Sequence, residues 1–122
     1  MGRAPTIAIL DDEEHFRRAV ARLLKACGYE VLGFAGGAEF LLGVSVRSVD
    51  CVLVDLDLPG MTGFEVLAQL RGMPDAPAAI VVTGRDDPGY ARRAHALGAF
   101  DYQLKPIGAP ALLDAIRRAC AR

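Results

Sequence analysis

The sequence predicts an α/β fold, a five-stranded parallel sheet covered on both faces by helices. Three observations lead there. Short β-prone apolar runs alternate with stretches of helical periodicity five times along the 122 residues. The run Cys51-Val-Leu-Val54 is apolar at every position, the pattern of a strand buried on both faces. Four of the runs end in groups able to do chemistry: Asp11-Asp12, Asp55, Thr83 and Lys105. In open α/β sheets the carboxyl ends of the strands are where ligands bind.

Thr6–Leu10 reads as the first strand. Glu13–Ala26 has helical spacing, with Phe16, Val20, Leu23, Leu24 and Cys27 on one stripe, and Gly28 suits the residue past its end. Asp12, Glu13 and Glu14 favour the positive end of that helix dipole. Glu30–Phe34 is a second short strand. Gly36-Gly37 breaks the chain before a short helix, Ala38–Val44, carrying Phe40, Leu41 and Val44. Cys51–Val54 is the third strand, and Pro59, Gly60 and Gly63 punctuate the loop after it. Phe64–Leu70 reads as a helix, Ala79–Thr83 as a buried strand and Pro88–Leu97 as a helix stopped by Gly98. Phe100–Leu104 is the fifth strand, and Pro110 opens a last helix to Cys120, since proline is tolerated at the first helical position. Right-handed crossovers make a doubly wound (βα)5 sandwich the simplest topology. A flavodoxin-like strand order of 2-1-3-4-5 places its switch point between strands one and three.

Composition narrows the function. The length suits one domain, residues 1–122, able to bury a core without staples. A net charge of −1 gives no electrostatic footprint for direct nucleic-acid binding by this domain. No apolar run approaches the ~20 residues of a membrane span, and no secretory stretch follows Arg3. Cys27, Cys51 and Cys120 form no CxxC pair and read as buried or half-buried free thiols in a reducing cytoplasm.

Carboxylates crowded at one sheet edge repel, and a hard divalent cation relieves that. Mg²⁺ takes one or two carboxylates, waters and a phosphate oxygen. A carboxylate beside Mg²⁺, a hydroxyl and an ammonium is equipped for phosphoryl transfer, which is mostly positioning and charge neutralisation. Asp55 is then the nucleophile that forms an acyl phosphate, Lys105 the partner of the phosphoryl oxygens and Thr83 a hydrogen-bonding group for one of them.

These residues resemble the receiver domains of two-component response regulators, the CheY-like superfamily. Five separated pieces carry the likeness nearly end to end: residues 9–13 (ILDDE), 54–63 (VDLDLPGMTG), 81–84 (VVTG), 96–102 (ALGAFDY) and 104–106 (LKP). The resemblance implies that Asp55 accepts phosphate from a phosphohistidine of a sensor histidine kinase or a phosphotransfer protein. It implies Mg²⁺ held by Asp11, Asp12 and Asp55, with the backbone carbonyl of Asp57 as a further ligand. It also implies a cis Lys105–Pro106 bond. The same resemblance implies a switch in which phosphorylation draws in Thr83 and Tyr102 turns inward, changing the surface of the fourth helix, fifth strand and fifth helix. Gly84 leaves room for that movement. The resemblance thus implies a signalling switch rather than an enzyme, one that catalyses only its own phosphorylation and dephosphorylation. Asp57 and Arg85 stand at positions that vary in the family. They are expected to flank the path of the attacking water, pair across it and tune the lifetime of the phosphate.

Each residue read alone has a plainer explanation. Asp11 and Asp12 suit a helix cap, Asp55 a paired structural acid, Thr83 a strand and Lys105 a solvated loop. Tyr102 suits half-buried packing, and its switch role rests on the resemblance alone. His15 and His95 lack metal-ligand spacing and read as solvated helix residues. Asp55-Leu-Asp57 also matches the Asp-x-Asp of haloacid-dehalogenase-type phosphatases, but there it ends the first strand and here the third. A phosphate-independent interaction module of the same fold is a third reading. Residues 37–41 (GAEFL) and 82–84 (VTG) look most like FixJ-type regulators, which carry a helix-turn-helix output. With the chain ending at Arg122 just after the last helix, the expectation from these phrases is the input half of a transcription regulator, its DNA-binding domain absent from this chain. The alternative is a stand-alone receiver acting as a phosphate shuttle. Leu112, Leu113 and Ile116 of the last helix serve the core first, which leaves open a phosphorylation-dependent homodimer.

Overall fold

The computed structural model describes residues 4–46 and 48–121. The expected domain limits at residues 1 and 122 lie outside the described residues. Ten elements alternate: β1 (Thr6–Leu10), α1 (Glu14–Ala26), β2 (Glu30–Phe34), α2 (Gly37–Val46), β3 (Cys51–Val54), α3 (Gly63–Arg71), β4 (Ala78–Thr83), α4 (Pro88–Ala96), β5 (Asp101–Leu104) and α5 (Ala109–Ala121). The five strands form one parallel sheet in the order β2-β1-β3-β4-β5. This is the expected flavodoxin-like topology. Its switch point lies between β1 and β3, where the chain leaves one side of the sheet for the other.

Alternation along the strands builds two cores. In β3, Cys51 and Leu53 face Val20 and Leu24 of α1 and Leu112, Ala115 and Ile116 of α5. Val52 and Val54 point the other way, onto Phe40 of α2, Leu67 of α3 and Ala94 of α4. Successive strand side chains take opposite faces, so a strand lying between two helical layers must be apolar at every position. All four residues of β3 are at most 1% exposed.

Several limits differ from the expected ones, each for a local reason. α3 begins at Gly63 because Thr62 caps it. The Thr62 hydroxyl accepts the Glu65 N–H at 3.2 Å, and the Glu65 carboxylate accepts the Thr62 N–H at 2.9 Å. This is a capping box, and the Thr-x-x-Glu pattern carries its signature. Those bonds from the Thr62 backbone and hydroxyl hold the Glu65 carboxyl below its ordinary pKa. Thr62→Ala is expected to destabilise the protein by about 1 kcal/mol, read from the midpoint of urea unfolding. α5 begins at Ala109, so Pro110 is its second residue rather than its first. That still falls within the turn whose N–H groups lack helical partners. Cys27 is exposed, contrary to the buried stripe expected of it. It is the C-cap of α1, where the helix ends and its inward face runs out, and Gly28 follows at φ +93°. Phe16, at the other end of that stripe, is only half-buried.

α4 buries only Ala94. It is tied to α3 by side chains instead. Arg93 stacks 4.0 Å from the Phe64 ring, Tyr90 meets that ring edge-on at 5.4 Å, and the Arg71 guanidinium donates to the Ala96 carbonyl. A helix attached by its rim shifts more readily than one keyed into the core.

Candidate functional site

The sheet ladder itself places the site residues. The Asp11 N–H donates to the Phe34 carbonyl at 3.1 Å, the Asp55 N–H to the Leu10 carbonyl at 3.0 Å, and the Lys105 N–H to the Thr83 carbonyl at 2.8 Å. Each pairing continues one residue past its strand, so three functional side chains are held by backbone bonds to neighbouring strands. The Lys105–Pro106 bond is cis.

Carboxylate oxygens of Asp11, Asp12 and Asp55 lie within 4.8 Å of one another. Asp11 and Asp55 are buried, at 1% and 7% exposed, while Asp12 is open to solvent. Lys105 reaches over this group from β5. Its ammonium donates to Asp11 Oδ2 at 2.8 Å and to Asp55 Oδ2 and Glu13 Oε1 at 3.3 Å each. The other oxygens accept backbone bonds, Asp11 Oδ1 from the Glu13 N–H at 2.9 Å and Asp55 Oδ1 from the Asp57 N–H at 3.2 Å. Burial pushes the Asp11 carboxyl above its ordinary pKa, and the hydrogen bond from Lys105 only partly offsets it. For Lys105 burial acts downward, but the Asp11 hydrogen bond and the charges of Asp55 and Asp11 outweigh it and hold the ammonium above its usual pKa.

This donor set fits a hard divalent cation. It is all oxygen, two members are fixed by the fold, and one is solvent-facing. One lysine does not balance three carboxylates. Two carboxylates ~5 Å apart repel by roughly 3 kcal/mol at an effective dielectric of about 20, a debt a dication would cancel.

Thr83 is fully buried at the end of β4, and its hydroxyl accepts the Arg85 N–H at 3.3 Å. The Tyr102 hydroxyl donates to the Arg85 carbonyl at 2.8 Å, so the half-buried ring is fastened to the loop that follows Thr83. Asp57 and Arg85 pair across the mouth of the site, with Arg85 Nε at 2.9 and 3.2 Å from the two carboxylate oxygens. Both side chains are more than half exposed, at 55% and 56%, so the pair adds little stability. Asp57's own carboxylate thus faces Arg85 rather than the acidic group. His15 and His95 are exposed.

Three further residues bear on the site. Glu13, expected only to favour a helix dipole, pairs with Lys105. Arg17 donates to the Asp11 carbonyl at 2.6 Å, bracing the turn that carries Asp11. Phe16, on the stripe expected to face the core, packs against that core and also places its ring centroid 4.2 Å from the Lys105 nitrogen. The signal available for all three was position. They lie within the first turns of the helix that leaves Asp11-Asp12, next to the carboxyl edge of the sheet.

A doubly wound parallel sheet whose carboxyl edge sets an acidic pocket against a lysine defines an α/β protein with a candidate cation site at that edge. The sequence matches the response regulator receiver domain over residues 7–117, and the chain belongs to that family. It is 35% identical over 120 residues to the C4-dicarboxylate transport transcriptional regulatory protein DctD of Rhizobium meliloti (strain 1021), covering 98% of this chain and 26% of that protein. It is 32% identical over 116 residues to the transcriptional regulatory protein FixJ of Azorhizobium caulinodans, covering 95% and 55%. The chain thus spans about half the length, or less, of these curated relatives. Among solved structures, a response regulator receiver domain protein from Clostridium thermocellum superposes with a TM-score of 0.88 at 31% identity, over 97% of this chain and 95% of that one. Similarity to DctD as well as FixJ does not single out the FixJ type. No helix among the described residues is long and apolar enough to cross a membrane.

Proposed function

We propose that Asp55 is the phosphoacceptor of this receiver, taking its phosphoryl group from a phosphohistidine of a sensor histidine kinase or phosphotransfer protein. The supporting observation is that Lys105 spans Asp11 and Asp55 above an oxygen-only cluster closed by Asp12. An Asp55 carboxylate oxygen attacks phosphorus, the P–N bond breaks, and its electron pair returns to the imidazole nitrogen. Hydrolysis later breaks the P–O bond to Asp55 and releases inorganic phosphate, so the chain catalyses only its own modification and its reversal. Asp11, Asp12, Asp55 and the Asp57 carbonyl would hold Mg²⁺, which when bound neutralises charge on the phosphoryl oxygens. Lys105 orients those oxygens from the opposite side.

Thr83 hydrogen-bonds a phosphoryl oxygen by turning its hydroxyl away from the Arg85 N–H. That loosens the loop to which Tyr102 is fastened and shifts the α4–β5–α5 surface. The lightly held α4 suits such a readout. The whole of residues 1–122 acts as one receiver, in the cytoplasm where its phosphodonor presents the histidine. Its output is transcriptional, as in the relatives named transcriptional regulatory proteins. The same surface would serve a homodimer or a separate partner.

Incubating the protein with Mg²⁺ and a small phosphodonor, then mapping the product by peptide mass, tests the reading. The expected result is one acid-stable, base-labile phosphoryl group on the peptide holding Asp55. Absence of modification would support a phosphate-independent binding module, and steady turnover of phosphomonoesters an aspartate-nucleophile phosphatase.

The Asp57–Arg85 pair lies across the mouth of this site. Asp57→Ala and Arg85→Ala are each expected to speed decay of the acyl phosphate about two- to fivefold, the scale of an exposed ion pair, with little change in its formation. Equal decay rates in both variants and the wild type would remove Asp57 and Arg85 from lifetime control.

A further inference from the structure

Phe16 has no part in the chemistry described so far. α1 holds it half-buried with its ring centroid 4.2 Å from the Lys105 nitrogen. An ammonium has three N–H donors, and Asp11, Glu13 and Asp55 accept them at 2.8, 3.3 and 3.3 Å. The ring face meets the same nitrogen. The stem of Lys105 runs beside an apolar groove of about 550 Å³ between α1 and α5, walled by Phe16, Val20, Leu23, Pro106, Ile107 and Leu112. An apolar groove gives a lysine stem no polar anchor, and a lysine carries about 2 kcal/mol of rotamer entropy. Its direction must therefore be set at the tip. Of the tip's partners, Asp55 is the one that changes charge and shape on phosphorylation, and Glu13 is exposed. Phe16 and Asp11 are not themselves chemically changed by the transfer.

We propose that Phe16 is a positioning residue for phosphoryl transfer: its ring face holds the Lys105 ammonium towards Asp55 by a cation–π contact. The inference rests on the assignment of Asp55 as phosphoacceptor. A ring contributes two things here, apolar bulk and a negative face, and substitutions separate them. Leucine keeps bulk and loses the face, whereas tyrosine and tryptophan keep both.

The experiment compares wild type, Phe16→Leu, Phe16→Tyr and Phe16→Trp in the full chain with Mg²⁺ and a small phosphodonor. Such a donor needs no protein docking surface. Phe16→Leu is expected to slow formation of the Asp55 phosphate about three- to tenfold, the range a half-buried cation–π contact supports, and Tyr and Trp to restore it. The second readout uses the metal-free, unphosphorylated protein. The side-chain proton resonances of Lys105 next to its nitrogen are expected upfield in wild type, Tyr and Trp through the ring current. In Phe16→Leu they return to ordinary positions, with the thermal midpoint nearly unchanged. If wild type phosphorylates Asp55 and Phe16→Leu does so equally fast, or Tyr and Trp are as slow as Leu, the positioning role is overturned while the phosphoacceptor assignment stands. Unshifted Lys105 resonances in wild type overturn it too. If wild type itself takes no phosphoryl group, the phosphoacceptor assignment falls and the positioning role falls with it.

Discussion

Lys105→Met is expected to destabilise the protein by about 2 kcal/mol and to slow phosphoryl transfer to Asp55 about a hundredfold. Methionine keeps most of the stem's volume beside the groove walls of α1 and α5, so the change removes charge rather than packing. Breaking a fully buried pair by deleting one partner costs about 3–5 kcal/mol. The smaller figure applies because the Lys105 side chain is 17% exposed and water can partly replace it. The carboxylates left behind differ in their response. Asp11 has a side chain 2% exposed, already strained towards its protonated form by burial, and it loses its 2.8 Å hydrogen bond. Asp55 loses a longer contact of 3.3 Å and keeps the Asp57 N–H. Urea unfolding near neutral pH reads the first effect, and acyl-phosphate formation from a small donor reads the second. A variant with wild-type midpoint and wild-type rate would show that Lys105 neither balances the acidic cluster nor assists transfer.

What was legible in the sequence, and what was not, follows from the range over which each signal acts. β3 was legible because a strand between two helical layers has no freedom to be polar, and Cys51 to Val54 obeys that at every position. The acidic cluster was legible because the residue after a strand in this topology faces the carboxyl edge whatever its side chain does. The Asp57–Arg85 pair was expected and is present as a contact, because both residues follow strand ends on neighbouring strands. Its effect on lifetime is a matter for kinetics. Phe16 keeps the expected stripe and packs against the core, but helical periodicity does not report how far along the helix the core extends, and the Phe16 ring is only partly buried beside Lys105. The α1 stripe passes from the groove beside Lys105 at Phe16, through the buried Val20 and Leu24, to solvent at Cys27. The start of α3 was missed for another reason. Thr62 and Glu65 carry the capping signature, but the apolar run that catches the eye begins only at Phe64.

Gly63 shows how one residue type can hide two different demands, and Gly63→Ala is expected to be the more damaging of two similar substitutions. Gly60 in the same loop has φ +77°, and a Cβ there meets nothing within 4 Å. Its demand is conformational, and Gly60→Ala should cost about 1 kcal/mol. Gly63 has the opposite problem. A Cβ there would overlap the Asp55 carbonyl oxygen and lie 2.7 Å from the Leu56 Cα. Both obstacles are backbone, so no rotamer change relieves them. The close approach arises because the chain folds back after β3, so that the Gly63 N–H donates to the Leu56 carbonyl at 3.1 Å as α3 begins. Overpacking costs typically 1–3 kcal/mol, and a clash with backbone belongs at the upper end, about 3 kcal/mol, or roughly 10 °C in the thermal midpoint. Relief requires the Asp55–Leu56 peptide to move, and that peptide carries the carboxylate facing Lys105. Phosphorylation should therefore fall in Gly63→Ala even at temperatures where the variant is folded, and stay near wild type in Gly60→Ala. Thermal unfolding followed by phosphodonor kinetics separates the two. A Gly63→Ala protein that melts within about 2 °C of wild type and phosphorylates normally would mean that this loop accommodates the methyl group without moving Asp55.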